Sequence, residues 1–386
     1  TDLYFWYQEI PNVDPARFNS PEAYLEAIRY RPLDQTFSYI TSREANEAFY
    51  SSSQFIGFGL SGQVIAGEYR IAQVFPDSPA FEAGLVRGSR ITQINGRTVE
   101  ALVASGEIGG AFGPAEVGVT ADIVFLRDGA PIRARMVKRP VTIPTVSLSR
   151  VYEVGGRRVG YIFFRNFVEP SYEALDAAFT ELRNRSVDEL VLDLRYNGGG
   201  LVSVAQHLAS LIGGVRTDGQ VFAEFFHNDK NGFRNRVLRF EPKPLALKID
   251  RVVVVTTRAS ASASELVINA LLPFMPVVVI GDRTYGKPVG QYGLEYCDIV
   301  LAPVAFQLRN ADGQGDFFDG LQPTCLAPDD LDHDIGNPLE GSLKEAFTVI
   351  ATGSCSEASS QPSRARRAPG GTDRRAVGWQ SIVGAH

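Results

Sequence analysis

From Val141 onward, short runs of apolar residues alternate with longer amphipathic stretches, and this alternation constrains the fold more than any other feature of the chain. Residues 159–164, 190–194, 252–256 and 277–280 read as strands, with 172–183, 201–212 and 264–272 as the helices between them. A strand that is apolar on both sides of its pleat has no face to give to water, so it belongs in a sheet covered on both sides. Helices between successive strands supply that cover and make the neighbouring strands parallel. The expectation is a mostly parallel sheet in an α/β domain spanning 141–350.

The chain before Val141 divides into two modules. Residues 1–50 form an N-terminal helical region: Ser20-Pro21-Glu22 ahead of Ala23 to Ile28 reads as N-cap, proline at the first helical position and acidic first turn. Thr41-Ser42-Arg43-Glu44 repeats the signal as a capping box. Residues 51–140 carry short β-like runs at 69–75, 91–94, 121–126 and 132–137, punctuated by Asn95-Gly96 and Asp128-Gly129, the latter a strong hairpin turn. Ser78-Pro79 opens a short helix that stops at Gly84. Beyond Gly353, Ser, Pro, Arg and Gly dominate, so 351–386 reads as a disordered tail.

A chain of 386 residues with 44% apolar content is long enough for two or three domains. No apolar run reaches the roughly 18 residues of a membrane span, and the N-terminus lacks the basic-then-apolar pattern of a signal peptide. The protein is therefore cytosolic or has lost a leader. A net charge of −6 gives no reason to expect nucleic acid. The four histidines are scattered without ligand spacing and the three cysteines form no CxxC pair, so no metal or cofactor is expected. Cys297 and Cys325 flank a segment with hairpin-like turns at Asp312-Gly313 and Gly315-Asp316, which makes them the candidate disulfide and leaves Cys355 over. The Asp/Gly-rich stretch 310–320 superficially suggests calcium but lacks the terminal bidentate glutamate, so a hairpin is favoured.

Three segments at expected strand ends carry chemistry. Strand 252–256 runs into Ser260-Ala261-Ser262-Ala263-Ser264-Glu265, where a helix begins, so Ser262 meets free amides and the positive end of the helix dipole. Taken alone, three serines at this point are helix caps. Lys287 changes the balance, because it follows the next strand and emerges at the same carboxyl edge if the two strands are neighbours. A lysine acts as base only when neutral. About one in 2,500 is neutral at pH 7 at the ordinary pKa, against about one in ten if the pKa falls to roughly 8. Gln291 can orient the amine without adding charge. A rival reading takes Gly281 to Lys287 as a phosphate-binding loop, but Pro288 stands where a Ser or Thr must ligate magnesium. The third segment, Asp193 to Gly200, ends in three glycines whose backbone can turn its amides inward.

The order of helical module, β module with Gly57-Phe58-Gly59-Leu60 and Ser78-Pro79-Ala80, Asp193 to Gly200, Ser260 to Glu265 and Tyr285-Gly286-Lys287 resembles the C-terminal-processing serine peptidases of family S41. The resemblance covers about residues 1–350. It implies a PDZ-like peptide-binding domain at 51–140 and an α/β protease domain of the ClpP/crotonase-like type at 141–350. Ser262 takes the position of the nucleophile, Lys287 that of the general base and Gln291 that of the lysine-orienting residue. The oxyanion amides fall to Ala263 and to Gly198 or Gly199. Phe55, Ile56, Gly57, Phe58, Gly59 and Leu60 match the loop and strand that hold a peptide C-terminus, with residues 99–105 as the facing helix. The chain departs from the family at Pro288, where glycine is usual, and in residues 292–325.

The function so implied is a serine endopeptidase cleaving polypeptides near their C-termini through a Ser-Lys dyad and an acyl-enzyme. Its partners are polypeptides or their C-termini, and its place is the bacterial periplasm or cell envelope, with room for peripheral or lipid anchoring outside this chain. The alternative is an inactive peptide-binding protein that keeps the PDZ-like module.

Overall fold

The structure, a computed structural model, describes residues 2–127 and 129–360. Its centre is a six-stranded sheet in the order Val146–Val154, Arg157–Phe164, Glu189–Asp193, Val252–Thr256, Val277–Gly281, Cys325–Leu326. The first pair is antiparallel and every other junction is parallel. The period of two divides each inner strand between two cores. Leu190, Leu192, Val252 and Val254 pack on one side with helices Ser171–Asn184, Val202–Gly213 and Ala263–Leu271. Val191, Val253 and Val255 pack on the other with Leu343, Ala346, Val349 and Ile350 of helix Gly341–Thr352. Burying each such side chain contributes about 1.5–3 kcal/mol relative to leaving it in water. The two-sided burial expected from sequence is therefore what holds this sheet.

A second, antiparallel sheet runs Leu60–Ile65, Glu68–Val74, Arg90–Ile94, Thr120–Arg127, Ala130–Val137 and has a core of its own that includes Phe58, Leu60, Ile71, Ile94, Leu102 and Phe125. Asn95 and Gly96 both have positive φ, 50° and 78°, as a two-residue hairpin turn of the primed type requires. The hairpin expected across 128–129 forms with Arg127 opposite Ala130.

In the N-terminal region the Ser20 hydroxyl accepts the Ala23 N–H at 3.2 Å, as its spacing predicts. The next helix, Arg43–Ser52, is capped by Ser42 rather than Thr41, because Thr41 is drawn into strand Tyr39–Ser42 and pairs with Val300.

The cysteine pairing differs from expectation. Cys325 is bonded to Cys355, with Cα atoms 5.6 Å apart, and Cys297 is free and exposed. The reason lies in where residues 292–325 go. Leu294–Tyr296 and Ile299–Ala302 make their own hairpin with Cys297 at its tip, whereas 310–324 is a connection leading to the edge of the central sheet and not a hairpin. Helix Gly341–Thr352 then returns the chain across that sheet and delivers Cys355 to the buried Cys325. Residues 351–360, expected to be tail, are thus structured, with a short helix at Glu357–Ser360. The rest of that expectation, 361–386, lies outside the described residues. Cys355→Ser is expected to lower unfolding stability by about 3 kcal/mol, measured without reductant so that the parent bridge stays intact. Thiol titration of the native parent should find one reactive group, Cys297.

Candidate active site

Strands Val252–Thr256 and Val277–Gly281 are parallel neighbours with Val255 opposite Ile280, so the segments that follow them emerge side by side. After the first, the chain turns through Ser260 and Ala261 into Ser262, which caps helix Ala263–Leu271 at φ 57° and ψ −114°. A non-glycine residue in this region costs on the order of 1–3 kcal/mol and persists only where its surroundings over-determine it. Those surroundings are identifiable. The Ser260 hydroxyl donates to the Leu194 carbonyl at 2.8 Å and the Ser264 hydroxyl to the Asn197 carbonyl at 2.9 Å. The Ala261 N–H reaches the same Asn197 carbonyl at 3.0 Å. The two flanking serines therefore stitch the turn to the 193–200 loop and leave Ser262 in the cavity.

Glu265 holds the other side. It is fully buried and accepts from the Ser262 N–H at 2.8 Å, the Thr284 hydroxyl at 2.6 Å, the Gly286 N–H at 2.7 Å and the Lys287 N–H at 2.8 Å. One carboxylate thus pins the serine turn and the lysine turn together. Burial pushes the Glu265 carboxyl above its ordinary pKa, and these hydrogen bonds oppose that push. Lys287 is 6% exposed, and burial brings its amine down to about 8 against the charges of Asp34 and Glu265, which act to raise it.

Ser262, Ala263, Lys287, Gln291 and Gly200 line one cavity of about 370 Å³. Gln291 Nε2 donates to the Phe37 carbonyl at 2.6 Å, and the Phe37 ring centroid is 6.0 Å from Lys287 Nζ. In the glycine turn, a Cβ on Gly199 would fall 2.8 Å from both Ser262 Cβ and Ala263 N, so only glycine permits this approach. The Gly199 N–H is already used by Asn197 Oδ1 at 2.9 Å. Among the described residues, the N–H groups of Gly198, Gly200 and Ala263 have no acceptor, and Gly200 is the member of the turn that lines the cavity.

The phosphate-loop reading fails because Lys287 is followed by strand Val289–Gln291, with no helix N-terminus to receive an anion. The 55–60 segment lies apart from the Ser262 cavity. Phe55 to Gly57 pair with Arg139 to Val141, and Leu60 opens the edge strand of the small sheet. The Phe58 and Gly59 carbonyls accept from Ala80 and Phe75 N–H groups, and a Cβ on Gly59 would meet Ser78 Cβ at 2.1 Å. Sequence reasoning missed the contribution of the first fifty residues: Tyr39, Asn46 and Tyr50 line the cavity, and Phe37 receives Gln291. Their aromatic spacing marks a helical module and nothing more.

The glycine turn and the Ser262 and Lys287 turns all lie within 158–326, the part of the chain that matches the model of peptidase family S41. Residues 1–39 match the peptidase S41 N-terminal domain. The chain is similar to the carboxy-terminal-processing protease of Bartonella bacilliformis, 27% identical over 68% of this chain and 60% of the relative. It is likewise similar to carboxy-terminal processing protease CtpB of Bacillus subtilis, 27% identical over 82% of this chain and 64% of the relative. The chain thus spans a little under two thirds of the length of these relatives. A crystal structure of a candidate S41 protease from Bacteroides fragilis superposes with a TM-score of 0.74 at 28% identity, covering 90% of this chain and 94% of the other. With two models of the same family matched in order along it and a solved S41 structure following it almost end to end, the chain belongs to peptidase family S41.

Proposed function

We propose that the protein is a serine endopeptidase of the C-terminal-processing type, with Ser262 as nucleophile and Lys287 as general base. The observation that carries this reading is the buried lysine, brought to about 8, sharing a cavity with a serine at a helix N-terminus. Neutral Lys287 takes the Ser262 proton as Oγ attacks the peptide carbonyl, and the ammonium returns it to the leaving amine. The resulting acyl-enzyme is released by water. The Ala263 N–H and one from Gly198 or Gly200 stabilise the oxyanion. Gln291 acts on the lysine's surroundings through Phe37.

The small sheet fits a PDZ-like module in which an apolar peptide C-terminus adds to the edge strand Leu60–Ile65 while loop amides near Phe58 and Gly59 hold its carboxylate. The Cys325–Cys355 bridge and the bacterial relatives support an exported protein of the cell envelope.

Digestion of a peptide library varied at its C-terminus, read by mass spectrometry, tests activity, cleavage position and end recognition together. Cleavage near the C-terminus is expected, and binding without cleavage would favour the inactive peptide-binding reading. Because the base works only when neutral, kcat/KM should rise with pH through about 8 and level off above it. A profile already flat from pH 6 would remove Lys287 from the role.

A further inference from the structure

We propose that the N-terminal segment is part of the catalytic centre, with Asp34 as a positioning residue that holds Phe37 against Lys287 and Gln291. Asp34 is fully buried, and its carboxylate gathers the turn that follows it. Oδ1 accepts the N–H groups of Phe37 at 2.9 Å and Ser38 at 3.0 Å, while Oδ2 accepts the Ser38 hydroxyl at 2.5 Å and the Tyr4 hydroxyl at 2.9 Å. Arg29 braces the same turn from its carbonyl side, donating to Gln35 at 2.7 Å and to Ser38 at 2.6 Å. A turn fixed on both sides presents its remaining groups in one geometry.

Those groups face the site. The Phe37 carbonyl takes the Gln291 amide, its ring lies 6.0 Å from Lys287 Nζ, and the Ser38 hydroxyl accepts the N–H of Val304. Thr36 Oγ1 pairs with the Tyr285 hydroxyl at 2.8 Å, two residues before the lysine. The ionisable groups around Lys287 are Asp34 from this turn, Glu265 from the helix after Ser262, Tyr285 from its own loop, and Tyr39 and Tyr50 along the cavity wall. The two carboxylates act in the same direction, favouring the charged amine against burial. Glu265 meets the lysine's backbone, so the N-terminal turn supplies the charge that is not already tied to the nucleophile. The first forty residues thereby tune a base that lies some 250 positions later.

This inference rests on Lys287 as the base, and the experiment separates the two. The pH dependence of kcat/KM is measured for the parent, for Asp34→Asn, which keeps the shape and removes the charge, and for Phe37→Leu, which keeps the backbone turn. Removing a negative charge makes the amine easier to deprotonate, so the acid limb of Asp34→Asn should move down by about half to one pH unit. A purely structural role would lower the amplitude and leave the limb in place, and that result overturns the inference. If Asp34→Asn does not fold, Phe37→Leu decides: a several-fold fall in kcat with KM unchanged supports the inference, and parent-like kcat overturns it. Turnover by Lys287→Ala would sink the base assignment as well, whereas an inactive Lys287→Ala with an unmoved Asp34→Asn limb sinks only the role of Asp34.

Discussion

Ser262→Ala is expected to lower turnover by about 10⁴- to 10⁶-fold while leaving the unfolding transition near that of the parent. The side chain takes part in a capping box with Glu265, whose loss costs about 1 kcal/mol, while the backbone N–H given to Glu265 is retained by alanine. Lys287→Ala should cost a similar factor, because neither group accelerates the step without the other. The double variant should therefore be about as slow as either single one, not slower by the product of the two. Steady-state cleavage of one peptide by the three purified variants, with circular dichroism to verify folding, checks this. Near-parental rates in either single variant would end the dyad assignment.

Glu265→Ala is expected to act on both stability and rate. It strands four donors in a dry interior, and losing the buried anion should destabilise the fold by about 3–5 kcal/mol. Glu265→Gln is the more informative variant. Its single amide oxygen can serve only part of the donor set, and its NH2 must face N–H groups that also want an acceptor. Displacement of the serine turn from the lysine turn by even an ångström should cost about 10²-fold in kcat. Thermal unfolding and kcat measured together separate the two effects, and a Glu265→Gln enzyme with parental kcat would show that the clamp is dispensable for geometry.

The central sheet was legible because burial on both faces leaves its mark residue by residue: Leu190 to Leu192 and Val252 to Val255 cannot be written any other way. That Ser262 stands at a helix N-terminus was legible from the strand that precedes it, but its choice over Ser260 and Ser264 as nucleophile rested on the family resemblance. Glu265 was readable only as a capping acid. That it also serves Thr284, Gly286 and Lys287 depends on the parallel pairing of two strands, which local sequence does not record. The disulfide was misassigned for the same reason, since Asp/Gly turns report local reversal but not which sheet edge the chain later reaches. Asp34 and Phe37 gave no signal at all, because Asp34 acts on a local turn whose outward partner, Gln291, lies 254 residues from Phe37, and a helical spacing is equally compatible with a free-standing module.

The cavity draws on residues from Tyr39 to Phe317. A polypeptide made from its N-terminus therefore cannot assemble this cavity until Phe317 has been added. Whatever chemistry the cavity performs, it becomes available only when that whole span is folded, not piece by piece.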